Sequence, residues 1–198
     1  AGNVYTANSD SNNVSKITPN GTSTILGTTG IYPYGIALDV AGNVYTVNYG
    51  SNNVSKITSD GTSAILGTTG GDPYAIALDV AGNVYTANSD SNNVSKITSD
   101  GTSTIFGTTG SGPYGIALDV AGNVYTANYG SNNVSKITPT STASYLADGD
   151  TSPITIIGLT NDTEYLMSLI AVNEAGESAA SNSVSVIPEA ATAPDAPT

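Results

Sequence analysis

The side chains able to move protons or hold ligands in this sequence are carboxylates, tyrosines and a few lysines. There are sixteen acidic residues, twelve Tyr and four Lys, and no His, Arg or Cys. Asp39, Asp79 and Asp119 recur at one spacing, each before Val-Ala-Gly-Asn. A ring of carboxylates could hold Ca²⁺. The local pattern reads instead as an Asx turn, in which the carboxylate bonds its own backbone, and no Asp-x-Asp-x-Asp loop favours a metal. Lys16, Lys56, Lys96 and Lys136 form a regular row, expected to be solvated. Tyr34, Tyr74 and Tyr114 alternate with Ile and Leu, which suits core packing better than stacking on sugars. Tyr49 and Tyr129 fall in turn clusters and are the candidate ligand contacts. No Ser-His, Cys-His or phosphate-loop arrangement exists, so the ordinary acid–base toolkit is empty. The expectation is no catalytic residue, no metal, no cofactor and no enzyme.

Composition sets further bounds. A net charge of −12 opposes nucleic acid and anionic membrane, which both select basic surfaces. Without Cys or His, disulfides and the usual zinc and copper ligands are missing. No run of apolar residues is long enough to span a bilayer as a helix. Abundant Thr, Asn and Gly suit a secreted or cell-surface protein. Residue 1 falls inside a repeat, as in a mature or excised piece of something longer.

The chemistry-bearing residues are positioned by a tandem repeat. Asn3-Val-Tyr-Thr-Ala-Asn returns near-identically at 43, 83 and 123, a forty-residue period without insertion. Such a period with strand-like content suggests propeller blades. Tyr34–Val40 alternates large with small or polar residues, as strands do. Val44–Val47 is β-branched and aromatic, Val54–Thr58 is a third strand, and Asp60-Gly61 carries a hairpin signal before a fourth at Ser63–Leu66. Gly42 is available for a positive φ between the first two. The expected architecture is all-β, with four-stranded antiparallel blades, about three and a half per chain. Strand a is missing from the first and strand d from the last, unless Thr142–Ala147 supplies the latter. An alternation is superposed: Asn-Ser-Asp-Ser in repeats one and three, Asn-Tyr-Gly-Ser in two and four. Chance drift after duplication would account for it.

Pro33-Tyr-Gly-Ile-Ala-Leu-Asp-Val-Ala-Gly-Asn-Val-Tyr-Thr46, followed by Asn52-Asn-Val-Ser-Lys-Ile-Thr-Ser-Asp-Gly-Thr62, resembles the NHL-type and streptogramin-lyase-like propeller repeats. The resemblance covers residues 1–140 and implies a propeller. The lyase members work with histidine, which this chain lacks. From Ser141 the period is gone. Thr151–Pro188 resembles the C-terminal half of a bacterial fibronectin type III domain, with Leu159 and Tyr165 placed as its tyrosine corner. The expected division is therefore 1–140 for the blades, 141–188 for a partial fibronectin-like β-sandwich, and 189–198 for a Pro/Ala-rich linker or tail.

Open strand edges recruit further strands. The expectation from sequence is a non-catalytic extracellular structural or adhesive protein, unstable as a monomer. Its partners would be other copies, joined by strand exchange into a filament or oligomer. Two alternatives stand beside it: a surface module whose propeller face takes a glycan or peptide, and a remnant of a lyase-type propeller enzyme.

Overall fold

The computed structural model describes residues 2–139, 165–167, 172–173, 176–177, 181 and 184–187. The chain divides into two compact units, Ala1–Pro139 and Thr140–Thr198. In the first unit each period of the repeat becomes a sheet. Strands β1 (Val4–Asn8), β2 (Asn13–Ile17) and β3 (Ser23–Thr28) form a three-stranded sheet. Next come β4 (Pro33–Leu38), β5 (Val44–Asn48), β6 (Asn53–Ile57) and β7 (Ser63–Thr68). The third sheet holds β8 (Pro73–Leu78), β9 (Val84–Asn88), β10 (Asn93–Ile97) and β11 (Ser103–Thr108). The last holds β12 (Pro113–Leu118), β13 (Val124–Asn128) and β14 (Asn133–Ile137). All pair antiparallel in chain order, as the repeat pattern implies.

The turns follow from residue type. Gly42, at φ 81°, closes the β4–β5 turn, and Asn52, at φ 50°, the β5–β6 turn. Asn tolerates this left-handed region better than most side chains. At Gly61 (φ 93°) the N–H bonds Thr58 O at 2.9 Å, making the hairpin turn that Asp60-Gly61 signals.

The core lies between blades. Val14, Val44 and Ile57 form one fully buried cluster. Tyr45, Val47, Val54, Val84 and Ile97 form the next, with Leu66, Ile76 and Leu78 packed on it. Tyr85, Val94 and Val124 form a third, with Phe106 and Ile137 against it. Each blade thus supplies half of an apolar layer that its neighbour completes, as expected of stacked repeats. Close approach needs glycine: a Cβ on Gly67 would sit 2.7 Å from Ile97 Cγ2 and 2.6 Å from Ser103 Oγ.

One expectation fails here. Tyr34 and Tyr114 are not core residues but 45% and 44% exposed. The alternation of β4 is real, yet Tyr34 lies near the sheet's end, where its ring meets Tyr74 of the next blade instead of entering an inter-blade core layer.

In the second unit the described strands are β15 (Tyr165–Met167), β16 (Val172–Asn173), β17 (Gly176–Glu177) and β18 (Val184–Val186). Strand β15 pairs antiparallel with β18, and β16 with β17. Tyr165 is buried. Leu159, the other residue of the expected tyrosine corner, lies outside the described residues, as do Thr142–Ala147 and the 189–198 tail. These short pairs do not amount to a fibronectin-like sandwich.

Candidate functional site: a tyrosine rim

Strands β4 and β5 run antiparallel with Pro33 opposite Asn48, so Tyr34 and Tyr49 emerge at one rim. The loop entering β4 is tied there. Tyr49 N bonds Tyr32 O and Gly50 N bonds Ile31 O, both at 2.9 Å. Tyr32 N donates to Asn12 Oδ1 of the preceding blade at 2.8 Å. The same anchor recurs from Asp72 N to Asn52 and from Gly112 N to Asn92, at 2.9 and 2.8 Å. Positions 32, 72 and 112 all take positive φ, so Tyr32 and Asp72 occupy a backbone conformation that suits Gly112 better.

The rings join into one run across three blades. Tyr34 and Tyr74 stack at 5.3 Å between centroids, and Tyr74 and Tyr114 lie at 4.3 Å. Tyr49 meets Tyr34 and Tyr74, each at 5.3 Å. Tyr129 stacks on Tyr114 at 5.4 Å, with 6° between ring planes, and is 73% exposed. The candidates Tyr49 and Tyr129 therefore belong to one cluster with the three tyrosines read as core. The Asp72 carboxylate, as a hydrogen-bond acceptor and a charge, raises the pKa of the Tyr49 phenol. Burial first, then the neighbouring tyrosines, raises that of Tyr74. Tyr32 and Asp72 were not singled out by sequence. The signal that could have found them is that these positions change between otherwise near-identical repeats.

A depression of about 410 Å³ beside Tyr114 and Tyr129 also involves Asn133 and Val134. Val134 is 68% exposed, whereas its repeat counterparts Val54 and Val94 are fully buried in inter-blade layers. The depression is the open blade face rather than a shaped ligand pocket.

The opposite rim is structural. Asp39 Oδ1 accepts from Ala41 N (3.0 Å) and Asn43 N (2.8 Å); its Oδ2 accepts from Asn43 Nδ2 (2.7 Å) and the Tyr45 hydroxyl (3.1 Å). Asp79 and Asp119 repeat this set. The Asx-turn reading holds, and no metal-binding group of acidic residues occurs among the described residues. Lys56, Lys96 and Lys136 are not simply solvated. Each ammonium lies over the ring of Tyr45, Tyr85 or Tyr125, at 5.4, 5.6 and 5.8 Å.

Four-stranded antiparallel blades with an aromatic rim at the strand ends define a β-propeller array. The chain belongs to the Virginiamycin B lyase family, which matches residues 1–194. None of the curated proteins matches it. Among solved structures, a streptogramin B lyase is similar at 18% identity, with a TM-score of 0.60, covering 69% of this chain and 48% of that one. A catalytically inactive histidine-to-alanine variant of virginiamycin B lyase from Staphylococcus aureus, with quinupristin, shares 20% identity (TM-score 0.58; 69% and 52% covered). A chain of a nidogen/laminin complex is similar at 17% (TM-score 0.58; 69% and 59% covered). At these identities the likeness speaks to fold alone. The chain spans about half the length of the two lyase structures.

One expectation is corrected. A non-catalytic structural or adhesive protein that assembles by strand complementation gives way to membership of a lyase family. That family match also runs through the stretch read as half a fibronectin domain, and none of these findings supports such a portion. The physical reason for the correction is that unpaired strand edges indicate where a repeat stops, not what the protein does.

Proposed function

We propose that this chain is part of a lyase-type propeller and holds its ligand on the tyrosine rim. The observation that carries the reading is the contiguous run of Tyr34, Tyr49, Tyr74, Tyr114 and Tyr129. Aromatic faces bind large, partly apolar ligands with little loss of side-chain entropy, each contact adding ~0.5–1.5 kcal/mol beyond area burial. The ligand kind comes from the relative whose structure contains quinupristin. That relative's inactive variant lacks a histidine. The present sequence has none, so these residues hold a ligand without a histidine to move its protons.

The test is a quinupristin titration followed by tyrosine fluorescence, with mass spectrometry of the recovered ligand. Saturable quenching is expected, weakened roughly 3- to 10-fold by Tyr74→Ala or Tyr129→Ala, with the ligand recovered unchanged. No saturable quenching, or quenching indifferent to both replacements, would overturn the reading. A cleaved ligand would assign turnover to groups other than histidine.

A further inference from the structure

The repeats differ where they need not. Periods 31–70 and 71–110 depart from one another at eight positions: 31, 32, 35, 47, 49, 50, 64 and 66, with their partners one period on. Four of these, 31, 32, 49 and 50, form one hydrogen-bonded corner of the tyrosine rim. Their exchanges are matched in size. Where Ile31 and Tyr32 are large, residue 50 is Gly, and a Cβ there would lie 2.7 Å from Tyr32 Cδ2. Where residue 90 is Asp, residue 71 is Gly, and a Cβ there would lie 3.1 Å from Asp90 Oδ2. Drift alone would scatter its changes along the repeat. Here half of them reshape one corner, blade by blade, beside the stacked rings.

What the corner presents is aromatic and anionic. Asp72 is tied into this corner by its N–H, which donates to Asn52 Oδ1 at 2.9 Å, and its carboxylate acts on both Tyr49 and Tyr74. Asp10 and Asp90, both exposed, occupy the equivalent turns of their own blades. No cation joins them. All four lysines sit one residue from the far end of β2, β6, β10 or β14, opposite Tyr5, Tyr45, Tyr85 and Tyr125. Tyr45 and Tyr49 are four residues apart, which in a strand is about 13 Å. The cations are thus held on one rim and excluded from the other. Ring faces with nearby carboxylates and no competing cation attract ammonium groups by cation–π and Coulomb terms together.

We infer that the tyrosine rim selects a ligand bearing an alkylated ammonium group, seated on Tyr34, Tyr74 and Tyr49 beside Asp72. This rests on the reading that the rim is the ligand-binding face. Tetramethylammonium chloride is the probe, titrated into the full chain at constant ionic strength and followed by tyrosine fluorescence and tyrosine ring proton shifts. Neopentyl alcohol serves as the neutral analogue, and calcium chloride tests the carboxylates alone. Saturable binding of the ammonium is expected, at least about fivefold tighter than the alcohol. Tyr74→Leu should weaken it severalfold and Asp72→Asn about 2- to 5-fold, whereas Tyr74→Phe, which keeps the ring, should retain it. Thermal melts establish that each variant is folded. Equal binding of the alcohol overturns the inference, as does calcium binding without ammonium binding, or ammonium binding unmoved by Tyr74→Leu and Asp72→Asn. Quinupristin failing to bind while the ammonium binds would sink only the lyase-type reading. Quinupristin binding without any preference for the cation over the alcohol would sink only this one.

Discussion

Asp79 illustrates how one side chain organises a turn. Burial pushes its carboxyl up, but hydrogen bonds from Asn83, Tyr85 and the Ala81 N–H outweigh that, so its pKa lies below the ordinary 3.8. A carboxyl whose folded pKa is depressed stabilises the fold above its unfolded pKa of about 3.9, and that stability is lost as pH falls through the lower folded value. Asp39 and Asp119 are lowered in the same way. The melting temperature should therefore hold near neutral pH and drop below about pH 4. Asp79→Asn should cost about 1–2 kcal/mol at pH 7 by leaving a donor unmatched, and should make the acid limb shallower; a pH series of thermal melts reads both. Tyr85 moves at the other extreme. Burial, then the charge of Asp79 and its hydrogen bond, push it up to about 12. Its contribution is complete below about pH 10, the unfolded value, and is lost as pH rises toward about 12. Absorbance titration of the phenolates should show a late component, near pH 12, that Tyr85→Phe reduces.

At the scale of the strand, stability comes from the layers between blades. Ile97 is fully buried beneath Tyr45, Val54 and Val84. Ile97→Val should cost about 0.5–1.5 kcal/mol and Ile97→Ala about 2–5, as measured by urea denaturation. Gly67→Ala acts on the same layer from the other side. Its new methyl meets Ile97 and Ser103 inside normal contact distance, so a loss of about 1–3 kcal/mol by overpacking is expected. If Gly67→Ala were neutral, the close approach of β7 to the next blade would be wrong.

For the whole array, the inner blades should be the most protected. Val54 and Val94 are fully buried, while Val134 at the same repeat position is 68% exposed and Val4 is 57% exposed. Amide hydrogen exchange should be slowest in β5, β6, β9 and β10, because opening there breaks two inter-blade layers rather than one. Val94→Ala should cost about 1–3 kcal/mol, and Val134→Ala less than about 0.5. Equal costs would mean that the outer face of the last blade is covered.

Period and residue type were enough to read the strands, their order and their turns. A repeat in which large residues alternate along Tyr34–Val40 and Asp60-Gly61 closes a hairpin has one economical antiparallel arrangement. Local rules also decided Asp39, because an Asx turn forms between near neighbours in the chain. The rim was not legible in that way. Tyr34, Tyr74 and Tyr114 each lie a full period apart, and nothing local distinguishes a ring at a strand's last buried turn from one just past it. Whether they pack inward or stack on one another depends on how far the neighbouring blade extends. The association of Tyr49 with Asp72 of the following repeat, and of Lys56 with the face of Tyr45, likewise arises only when strands are laid side by side. Alternation and turn chemistry act within a strand and its hairpin, and so can be read along the chain. A binding face is made by packing between blades, and that distance is set by the tertiary structure.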